Sequence, residues 1–310
     1  MLANWDGVSE RQLGRTECAD AVIAVSCRTQ GATLFGCKDG SVWEWGRQGG
    51  KAARLLAGQG PVLALSFSPD SAAVAKADPT GCVRVYDTAK AERLSEWKHP
   101  AAVPALAFAG AGGKVVVTGC ADGKVRVWDV PENCQTQVYD CRSPVTAVAA
   151  SGDGRVVVSG GQDGVVRVWT VGEAEPLALK HGNRKVTSLA IDRAAAMLLS
   201  GGEDGAVRAW NVTKGQPIGS PLRLGREVTA VGFSPDEKVL LAGGADGALR
   251  SWPAPQPLSG AAEDIILWAQ IESGMELDLQ GRLNTLSAEE VARRKRVLAE
   301  RLGGHAVGPQ

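Results

Sequence analysis

Short runs of alternating apolar and polar residues, separated by turn residues, make up most of the chain before residue 260. The run over 228–233 ends in a Ser-Pro-Asp turn, a second run over 238–243 is followed by an Asp-Gly turn, and a third run ends at Trp252. Alternation of period two predicts strands, and Asp-Gly between such runs predicts a tight hairpin because both residues tolerate a positive φ. No sustained helical period occurs in this part of the chain, so the pattern predicts an all-β fold.

The three-run pattern recurs along the chain with a period of 41 or 42 residues. An aromatic residue ends the third run of each unit, at Trp45, Tyr86, Trp128, Trp169, Trp210 and Trp252. A weaker fourth run follows, for example over 135–139. Because four short strands cannot bury both faces of their own sheet, we expect the units to stack around an axis.

Two segments, 118–129 and 200–211, carry a Thr-Gly or Ser-Gly pair, an Asp-Gly turn and a Trp in the same order. With these segments and the constant period, the chain resembles the WD40-repeat family over about residues 1–252. The resemblance implies an all-β, WD40-type β-propeller over 1–253 with six recognisable blades, which acts as a non-catalytic protein-interaction scaffold. The tail and the segment 215–222 are similar to bacterial WD40 proteins, some of which are fused to serine/threonine protein kinases.

The N-terminal segment leaves the number of blades open. Trp5 and Asp6 lie about one repeat before Trp45, which fits the end of a seventh repeat whose first strands are missing. Either a strand at about 10–17 completes the last blade of a six-blade ring, or the chain is part of a seven-blade ring. We expect the six-blade closure.

Residues 260–310 depart from the repeat and predict a helix-hairpin-helix tail. Apolar residues over 261–273 suit a first helix, and a small hairpin is expected to turn at 280–281. Ser287 begins a capping-box pattern, which predicts a second helix that runs to about Leu302.

The WD40 resemblance also implies a structural hydrogen-bond set, formed by a His before the first strand, a Ser or Thr on the second strand, the turn Asp and the Trp. Two units carry all four residues, namely His99, Thr118, Asp122 and Trp128, and His181, Ser200, Asp204 and Trp210. Another unit has Ser159, Asp163 and Trp169 but no His. Such a chain of donors and acceptors would satisfy the buried indole N–H. The unit over 62–86 departs most, with Lys76, Thr80 and Tyr86, and is expected to pack most loosely.

Composition and charge argue against catalysis and against nucleic-acid or membrane partners. The 34 basic and 34 acidic side chains cancel, so no global field attracts nucleic acid or anionic lipid. The apolar runs are far shorter than the roughly 18 residues of a membrane span. Neither a phosphate-binding motif nor a nucleophile or metal-ligand constellation is found, so no cofactor and no metal are expected. Seven cysteines without a CxxC pair suit buried thiols in a reducing compartment, which predicts a cytoplasmic protein.

One surface is a candidate for binding a protein or peptide partner. The loops before three successive first strands carry Arg142, Arg184 and Arg226, and the turn residues on the same face include Lys38, Gln162 and Glu203. An arc of guanidinium groups would grip an acidic or phosphorylated segment, because arginine matches the geometry of carboxylate and phosphate. Three unrelated surface arginines are the alternative interpretation.

Two functions follow from these patterns. The first is the scaffold described above, which presents its loops to protein partners. The alternative is the sensor or regulatory part of a larger signalling enzyme, such as a bacterial serine/threonine kinase, truncated at the N-terminus.

Overall fold

The computed structural model describes residues 2–5, 12–16, 20–27, 32–46, 51–173, 175–255, 270, 275–277 and 283–301. The chain divides into two compact units, residues 1–252 and residues 253–310. The first unit is built from β-strands, and the second contains the C-terminal helix.

The first unit begins with the strands β1 (Leu2–Trp5) and β2 (Gln12–Thr16), which form an antiparallel pair. Six antiparallel sheets follow, numbered here as blades 1 to 6, and within each blade the strands are hydrogen-bonded in sequence order. Blade 1 consists of β3 (Val22–Cys27), β4 (Thr33–Cys37), β5 (Val42–Trp45) and β6 (Ala53–Leu56). Blade 2 consists of β7 (Ala64–Phe67), β8 (Ala73–Ala77), β9 (Cys82–Asp87) and β10 (Arg93–Lys98).

The next blades repeat this arrangement. Blade 3 consists of β11 (Ala105–Ala109), a 3-10 turn (Ala111–Gly113), β12 (Val115–Gly119), β13 (Lys124–Asp129) and β14 (Cys134–Asp140). Blade 4 consists of β15 (Val145–Ala150), β16 (Val156–Gly161), β17 (Val165–Thr170) and β18 (Leu177–Lys180). Blade 5 consists of β19 (Val186–Ile191), β20 (Met197–Gly202), β21 (Ala206–Asn211) and β22 (Gln216–Arg223). Blade 6 consists of β23 (Val228–Phe233), β24 (Val239–Gly244) and β25 (Leu249–Pro253).

The prediction of an all-β propeller with six blades is confirmed. The prediction that a strand at about 10–17 completes the last blade is wrong. That strand is present as β2, but its partner is β1, and blade 6 has three strands among the described residues. Pairing β2 with β1 closes a much shorter loop than pairing it with a strand at the far end of the unit, and a shorter loop costs less entropy.

The turns between the second and third strands link blades 1 to 5 to the blades that follow them, and four of these five turns are Asp-Gly. Gly164 has a φ of +73°, and a Cβ atom added there would lie 2.5 Å from the carbonyl oxygen of Gly182, so the position suits glycine for two reasons. The carbonyl oxygen of Gly164 accepts a hydrogen bond from the backbone N–H of His181, which begins the loop to blade 5. The hairpin prediction at these turns is confirmed, since Asp163 Oδ1 accepts from the Val165 N–H two residues later.

Valines on the first strand of one blade pack against glycines on the second strand of the preceding blade. A Cβ atom added to Gly160 would lie 2.6 Å from Val186, and one added to Gly201 would lie 2.5 Å from Val228. Both valines are fully buried. The core therefore consists of the interfaces between blades, where residues of blades 4 and 5 such as Val158 and Leu198 share one apolar cluster.

The second unit contains β26 (Met275–Leu277) and β27 (Leu283–Thr285), which form an antiparallel hairpin, and the helix α1 (Ala288–Arg301). The predicted strand pair and second helix are present, while the turn predicted at 280–281 lies outside the described residues. Ser287 caps α1, because its Oγ accepts a hydrogen bond from the Glu290 N–H at 3.2 Å. The helix predicted over 261–273 lies outside the described residues apart from Gln270, which is helical.

Candidate functional site

In blade 5 a chain of hydrogen bonds runs through the buried interior. The indole N–H of Trp210 donates to Ser200 Oγ at 2.8 Å, and His181 Nδ1 lies 2.7 Å from the same oxygen. The other ring nitrogen of His181 lies 2.9 Å from the Arg208 guanidinium and 3.3 Å from Asp204 Oδ1. Arg208 is the nearer neighbour and its N–H can only donate, so we assign this nitrogen as the acceptor and place the ring proton on Nδ1, which donates to Ser200. Asp204, which can only accept, takes its hydrogen bond from Arg208 at 3.0 Å.

Blade 3 has a similar chain with a different end. Trp128 donates its indole N–H to Thr118 Oγ1 at 3.0 Å, and His99 Nε2 lies 2.9 Å from that oxygen. His99 Nδ1 donates to the Gly81 carbonyl oxygen at 3.1 Å. Since a carbonyl can only accept, the ring proton is on Nδ1, and Nε2 accepts from the Thr118 hydroxyl. The indole, the hydroxyl and both ring nitrogens therefore all have partners.

Blade 4 places a cysteine where blades 3 and 5 have histidine. Trp169 donates its indole N–H to Ser159 Oγ at 3.0 Å, and Cys141 Sγ lies 3.3 Å from the same oxygen. The Cys141 N–H donates to the Gly123 carbonyl oxygen, as the His181 N–H does to the equivalent glycine of the preceding blade. The absence of a His from this unit was noted in the sequence, but the role of Cys141 was missed. Its position 18 residues before the Ser, against 19 for the histidines, is a signal that could have indicated it.

The turn aspartates pair with arginines on the third strand of the same blade. Reasoning from the sequence missed these arginines, although each stands two residues before the aromatic residue of its blade. In blade 3, Asp122 accepts two hydrogen bonds from Arg126, at 2.6 and 3.2 Å, and it makes no hydrogen bond to His99. Asp163 pairs with Arg167 at 2.7 Å, and Asp204 pairs with Arg208 at 3.0 Å. These ion pairs tie each turn to its own sheet.

Blade 2 has other residues at the positions of the structural hydrogen-bond set. Lys76 takes the place of the Ser or Thr, and the Tyr86 hydroxyl, in place of the indole, donates to Gln59 Oε1 at 2.9 Å. The turn carboxylate comes from Asp78 instead of residue 80, and it pairs with Arg84 at 3.0 Å. A cavity of about 20 Å³ lies beside Lys76 and Tyr86. The expectation of loose packing stays a prediction, because the neighbouring side chains of this blade, such as Ala75, are fully buried.

Burial also sets the ionisation of the interior. It lowers the pKa of His99 to about 4 and also lowers the pKa of His181, where the nearby Arg208 adds to the effect. Burial raises the pKa of Cys82 to about 11 and that of Cys141 above its usual range. These imidazoles are therefore neutral and these cysteines are thiols at neutral pH. Neither group is ionised in the way that nucleophilic or general-acid chemistry would need.

The loops before the first strands lie at the same end of the blades as the Asp-Gly turns. The backbone N–H of Gln162 donates to the Pro144 carbonyl oxygen at 3.0 Å, which joins this turn to the loop that carries Arg142. The Glu203 N–H likewise donates to Lys185, the neighbour of Arg184, at 3.1 Å. Arg142, Arg184 and Arg226 are all exposed, as are Lys38, Gln162 and Glu203.

The same end of the blades also has an ordered loop at Arg142, an ion pair between two loops and an open cleft. Arg142 has a φ of +56°, and its N–H donates to Asp140 Oδ1 at 2.9 Å, which holds the loop in this conformation. Lys185 and Glu227, on the loops of blades 5 and 6, form an ion pair at 3.5 Å. Lys38 lines an open cleft of about 510 Å³ on the side of blades 1 and 2. The structure thus joins the loop of Arg142 to the turn of Gln162 and the loop of Arg184 to the turn of Glu203, while Lys38 lies on a blade remote from them in sequence.

Within the part of the chain that the structure describes, no group of three His, Cys, Asp or Glu side chains is placed to hold a metal ion. None of the described helices has the length and apolar content to cross a membrane.

The fold and its buried hydrogen-bond chains define a repeat β-propeller in which a turn of one blade is bonded to the loop of the next. A family model described as "WD domain, G-beta repeat" matches residues 92–129, 133–170, 175–211 and 219–253. Each of the first three segments begins near the outer strand of one blade and ends on the third strand of the next. The chain is thus a WD40-repeat protein, as predicted.

A solved structure gives an independent comparison. The crystal structure of the computationally designed Ika8 protein is similar to this chain, with 28% sequence identity, a TM-score of 0.63, and coverage of 80% of this chain and 76% of that chain. The search of curated proteins found no match.

Proposed function

We propose that this protein is a non-catalytic scaffold that binds an acidic or phosphorylated segment of a partner protein at the end of its blades that carries Arg142, Arg184 and Arg226. WD40 propellers are commonly protein-interaction scaffolds. We call the end of the blades that carries these three residues the arginine end. Its loops are hydrogen-bonded to the turns of the blades, which supports this assignment.

The observation that carries the proposal is a difference between two groups of arginines. The strand arginines Arg126, Arg167 and Arg208 each pair with the aspartate of their own turn. The loop arginines Arg142, Arg184 and Arg226 are exposed, and none of them pairs with a carboxylate of the described residues. A guanidinium without an internal partner keeps its full fork of donors for an external carboxylate or phosphate.

The backbone around these arginines favours binding because it is already ordered. The loop at Arg142 is bonded to the turns of two blades, through Cys141 to Gly123 and through Pro144 to Gln162. The loop at Arg184 is bonded in the same way, through His181 to the turn of the preceding blade and through Lys185 to the turn of its own blade. A preorganised loop loses little conformational entropy when it binds, so more of the interaction energy appears as affinity.

The interior supports a role without chemistry. The two buried histidines are neutral and engaged in hydrogen bonds, and the buried cysteines carry raised pKa values. We propose that these thiols, at Cys82, Cys120 and Cys141, none of which forms a disulfide, reflect a reducing, cytoplasmic compartment.

The test uses a fluorescein-labelled Glu/Ser peptide in unphosphorylated and phosphorylated forms, with binding followed by fluorescence anisotropy. We expect the triple variant Arg142→Gln, Arg184→Gln, Arg226→Gln to lose at least about tenfold in affinity, since an ion-paired contact contributes on the order of 1.4 kcal/mol or more. The affinity of the native protein should fall with added salt.

The matched control removes three positive charges from the opposite end of the blades, through Arg155→Gln, Arg193→Gln and Lys214→Gln. All three are exposed on turns between strands of blades 4 and 5. This control should bind as the native protein does. Equal affinities for the two triple variants, or native protein that binds neither peptide, would reject the arginine end as the binding surface. Which form of the peptide binds more tightly distinguishes carboxylate recognition from phosphate recognition.

A further inference from the structure

Lys76 is a buried cation at a position where blades 3, 4 and 5 have a hydroxyl group. It lies opposite Arg84 in the ladder between β8 and β9, as Thr118 lies opposite Arg126 in blade 3. Only 6% of its surface is exposed. Charged side chains are rarely buried to this extent unless a partner compensates the charge. The surroundings of the ammonium group therefore show what kind of partner it takes.

The protein itself satisfies part of the ammonium group. Lys76 Nζ donates one hydrogen bond, to the Gly40 carbonyl oxygen at 3.0 Å, and it lies 4.5 Å from the centroid of the Tyr86 ring. An ammonium group has three donors, and a ring face attracts a cation without accepting a conventional hydrogen bond. No carboxylate of the described residues lies within ion-pair distance of Nζ. Two N–H donors of the Lys76 ammonium group therefore have no conventional acceptor among the described residues, and its positive charge has no paired carboxylate there.

The cavity of about 20 Å³ adjoins this group and is lined by Gly40, Gln59, Pro61, Lys76, Arg84 and Tyr86, together with Gly60, Val62 and Asp78. About 10–15 Å³ of such space holds one water-sized particle, so the cavity has room for a monatomic or similarly small ligand. The ligand class is therefore set by size as well as by charge.

The charged groups around the cavity favour an anion. Lys76 and Arg84 both line it, and Arg84 lowers the pKa of Lys76 further beyond the effect of burial, to about 8, while Asp39 acts in the opposite direction. Asp78 also lines the cavity, but its Oδ2 is paired with Arg84 and its Oδ1 accepts from Thr80 and the Cys82 N–H. With this pKa Lys76 is mostly charged at neutral pH, and because Arg84 and Asp78 compensate each other, the charge of Lys76 is the one that lacks a paired carboxylate among the described residues.

We propose that the cavity between Lys76, Arg84 and Tyr86 is a binding site for a small inorganic monoanion, with chloride as the representative ion. The anion accepts the hydrogen bonds that Lys76 Nζ has left, and it supplies the counter-charge that blade 2 lacks. In this blade it takes the place of the hydroxyl-centred hydrogen-bond chain of blades 3, 4 and 5. Anion binding and the arginine end are independent, because they use different residues.

The test compares thermal unfolding in sodium chloride with unfolding in sodium gluconate at equal ionic strength and about pH 7, since gluconate is too large for the cavity. A ligand that binds the folded state raises the unfolding midpoint by mass action, so we expect chloride to raise it by a few degrees in a saturable way. The Lys76→Met variant should lose this chloride-specific rise. The control Lys98→Met removes an exposed lysine from the same blade and should keep it.

Two further measurements make the outcome decisive. At about pH 9.5 Lys76, with a pKa of about 8, is largely deprotonated, while Tyr86, with a pKa that burial raises above its usual value, is largely neutral, so the chloride effect should be lost. Crystals of the native protein soaked in sodium bromide should show an anomalous peak beside Lys76 Nζ, which tests the site even if Lys76→Met does not fold. Equal midpoints in chloride and gluconate, an undiminished effect in Lys76→Met, or the absence of a bromide peak would each overturn the proposal.

Discussion

Cys141 Sγ lies 3.3 Å from Ser159 Oγ, at the position from which a histidine contacts the corresponding hydroxyl in blades 3 and 5. The exchange leaves the indole bond of the blade in place, with Trp169 still donating to Ser159 at 3.0 Å. A thiol is a weak donor and a small apolar group, so it fills the space without adding a group that takes up a proton in acid, as the histidines do. The centre that the blades share is therefore the hydroxyl–indole pair, and the histidine is the exchangeable member.

This centrality of the hydroxyl leads to a stability prediction for blade 5. Ser200→Ala removes the acceptor of both the Trp210 indole N–H and the His181 Nδ1–H, and each buried donor left without a partner costs about 1–3 kcal/mol. We expect a clearly lower midpoint in urea unfolding. Ser220→Ala changes an exposed serine of the same blade and should shift the free energy of unfolding by less than about 0.5 kcal/mol. Equal midpoints for the two variants would contradict a central role for Ser200.

The buried histidines predict a dependence of stability on pH. Burial lowers the pKa of His99 to about 4, whereas an exposed histidine has a pKa of about 6.5. The unfolded chain thus binds a proton that the folded chain excludes, so the stabilisation is complete above about pH 6.5 and is lost as the pH falls toward 4. By pH 5 the loss from this residue is about 2 kcal/mol, and His181 acts in the same direction.

Urea unfolding at several pH values between 5 and 7 measures this effect. The window lies above the range in which aspartate titrates in an unfolded chain, at a pKa of about 3.9. At Asp122 and Asp204 burial is outweighed by hydrogen bonds, including those from arginine, and the pKa is lowered further. A His99→Gln variant should show a shallower dependence than the native protein. A native free energy of unfolding that does not change from pH 7 to pH 5 would show that the histidines are not held neutral.

The arginines of the third strands give a prediction about geometry as distinct from charge. Arg126 contacts both oxygens of Asp122 with its planar guanidinium, and the two side chains are 11% and 18% exposed. Arg126→Lys keeps the charge but cannot make the paired contact, so we expect a loss of about 1–3 kcal/mol in unfolding free energy. Arg155→Lys, at an exposed arginine on a turn of blade 4, is the control and should be neutral. If both variants unfold at the same urea concentration, the ion pair does not stabilise the blade.

The packing of blade 4 on blade 5 predicts a sharp difference between two glycines. Gly160→Ala would place a methyl group 2.6 Å from Val186 of the next blade, and overpacking of this kind costs about 1–3 kcal/mol. At Gly232, on the first strand of blade 6, no heavy atom lies within 4 Å of an added Cβ, so Gly232→Ala should be neutral or slightly stabilising. Thermal unfolding measures both. A Gly160→Ala protein as stable as the native one would mean that the blades separate easily.

Much of the architecture could be predicted from the sequence because the signals are local. The alternating runs, the Asp-Gly turns and the constant period indicate strands, hairpins and stacked blades, and they do so at the right positions from blade 1 to blade 6. The capping pattern at Ser287 likewise predicted the start of α1. Each of these features depends on residues that are close together in the chain, so tertiary contacts had little opportunity to change it.

The candidate site could be predicted from local sequence signals only in part. The sequence indicated which loops carry Arg142, Arg184 and Arg226, but the pairing that makes the strand arginines different from the loop arginines depends on which side chains the folded turns bring together. The role of Cys141 was hidden for the same reason, since its chemistry gives no hint of a histidine position. Lys76 was noted only as a departure from the repeat.

The sequence by itself determined the six repeat units, their order and the strands and turns within each, because alternation and turn chemistry are properties of short stretches of chain that recur with a constant period, but it left the number of blades open. Only the tertiary structure decided the pairing of β2 with β1, the packing of Val186 on Gly160, and the small cavity at Lys76. These features depend on distances between residues that lie far apart in sequence or on different blades. Such distances are fixed by the packing of whole sheets, in which a single methyl group or a single buried charge changes the balance of free energy by about 1–3 kcal/mol.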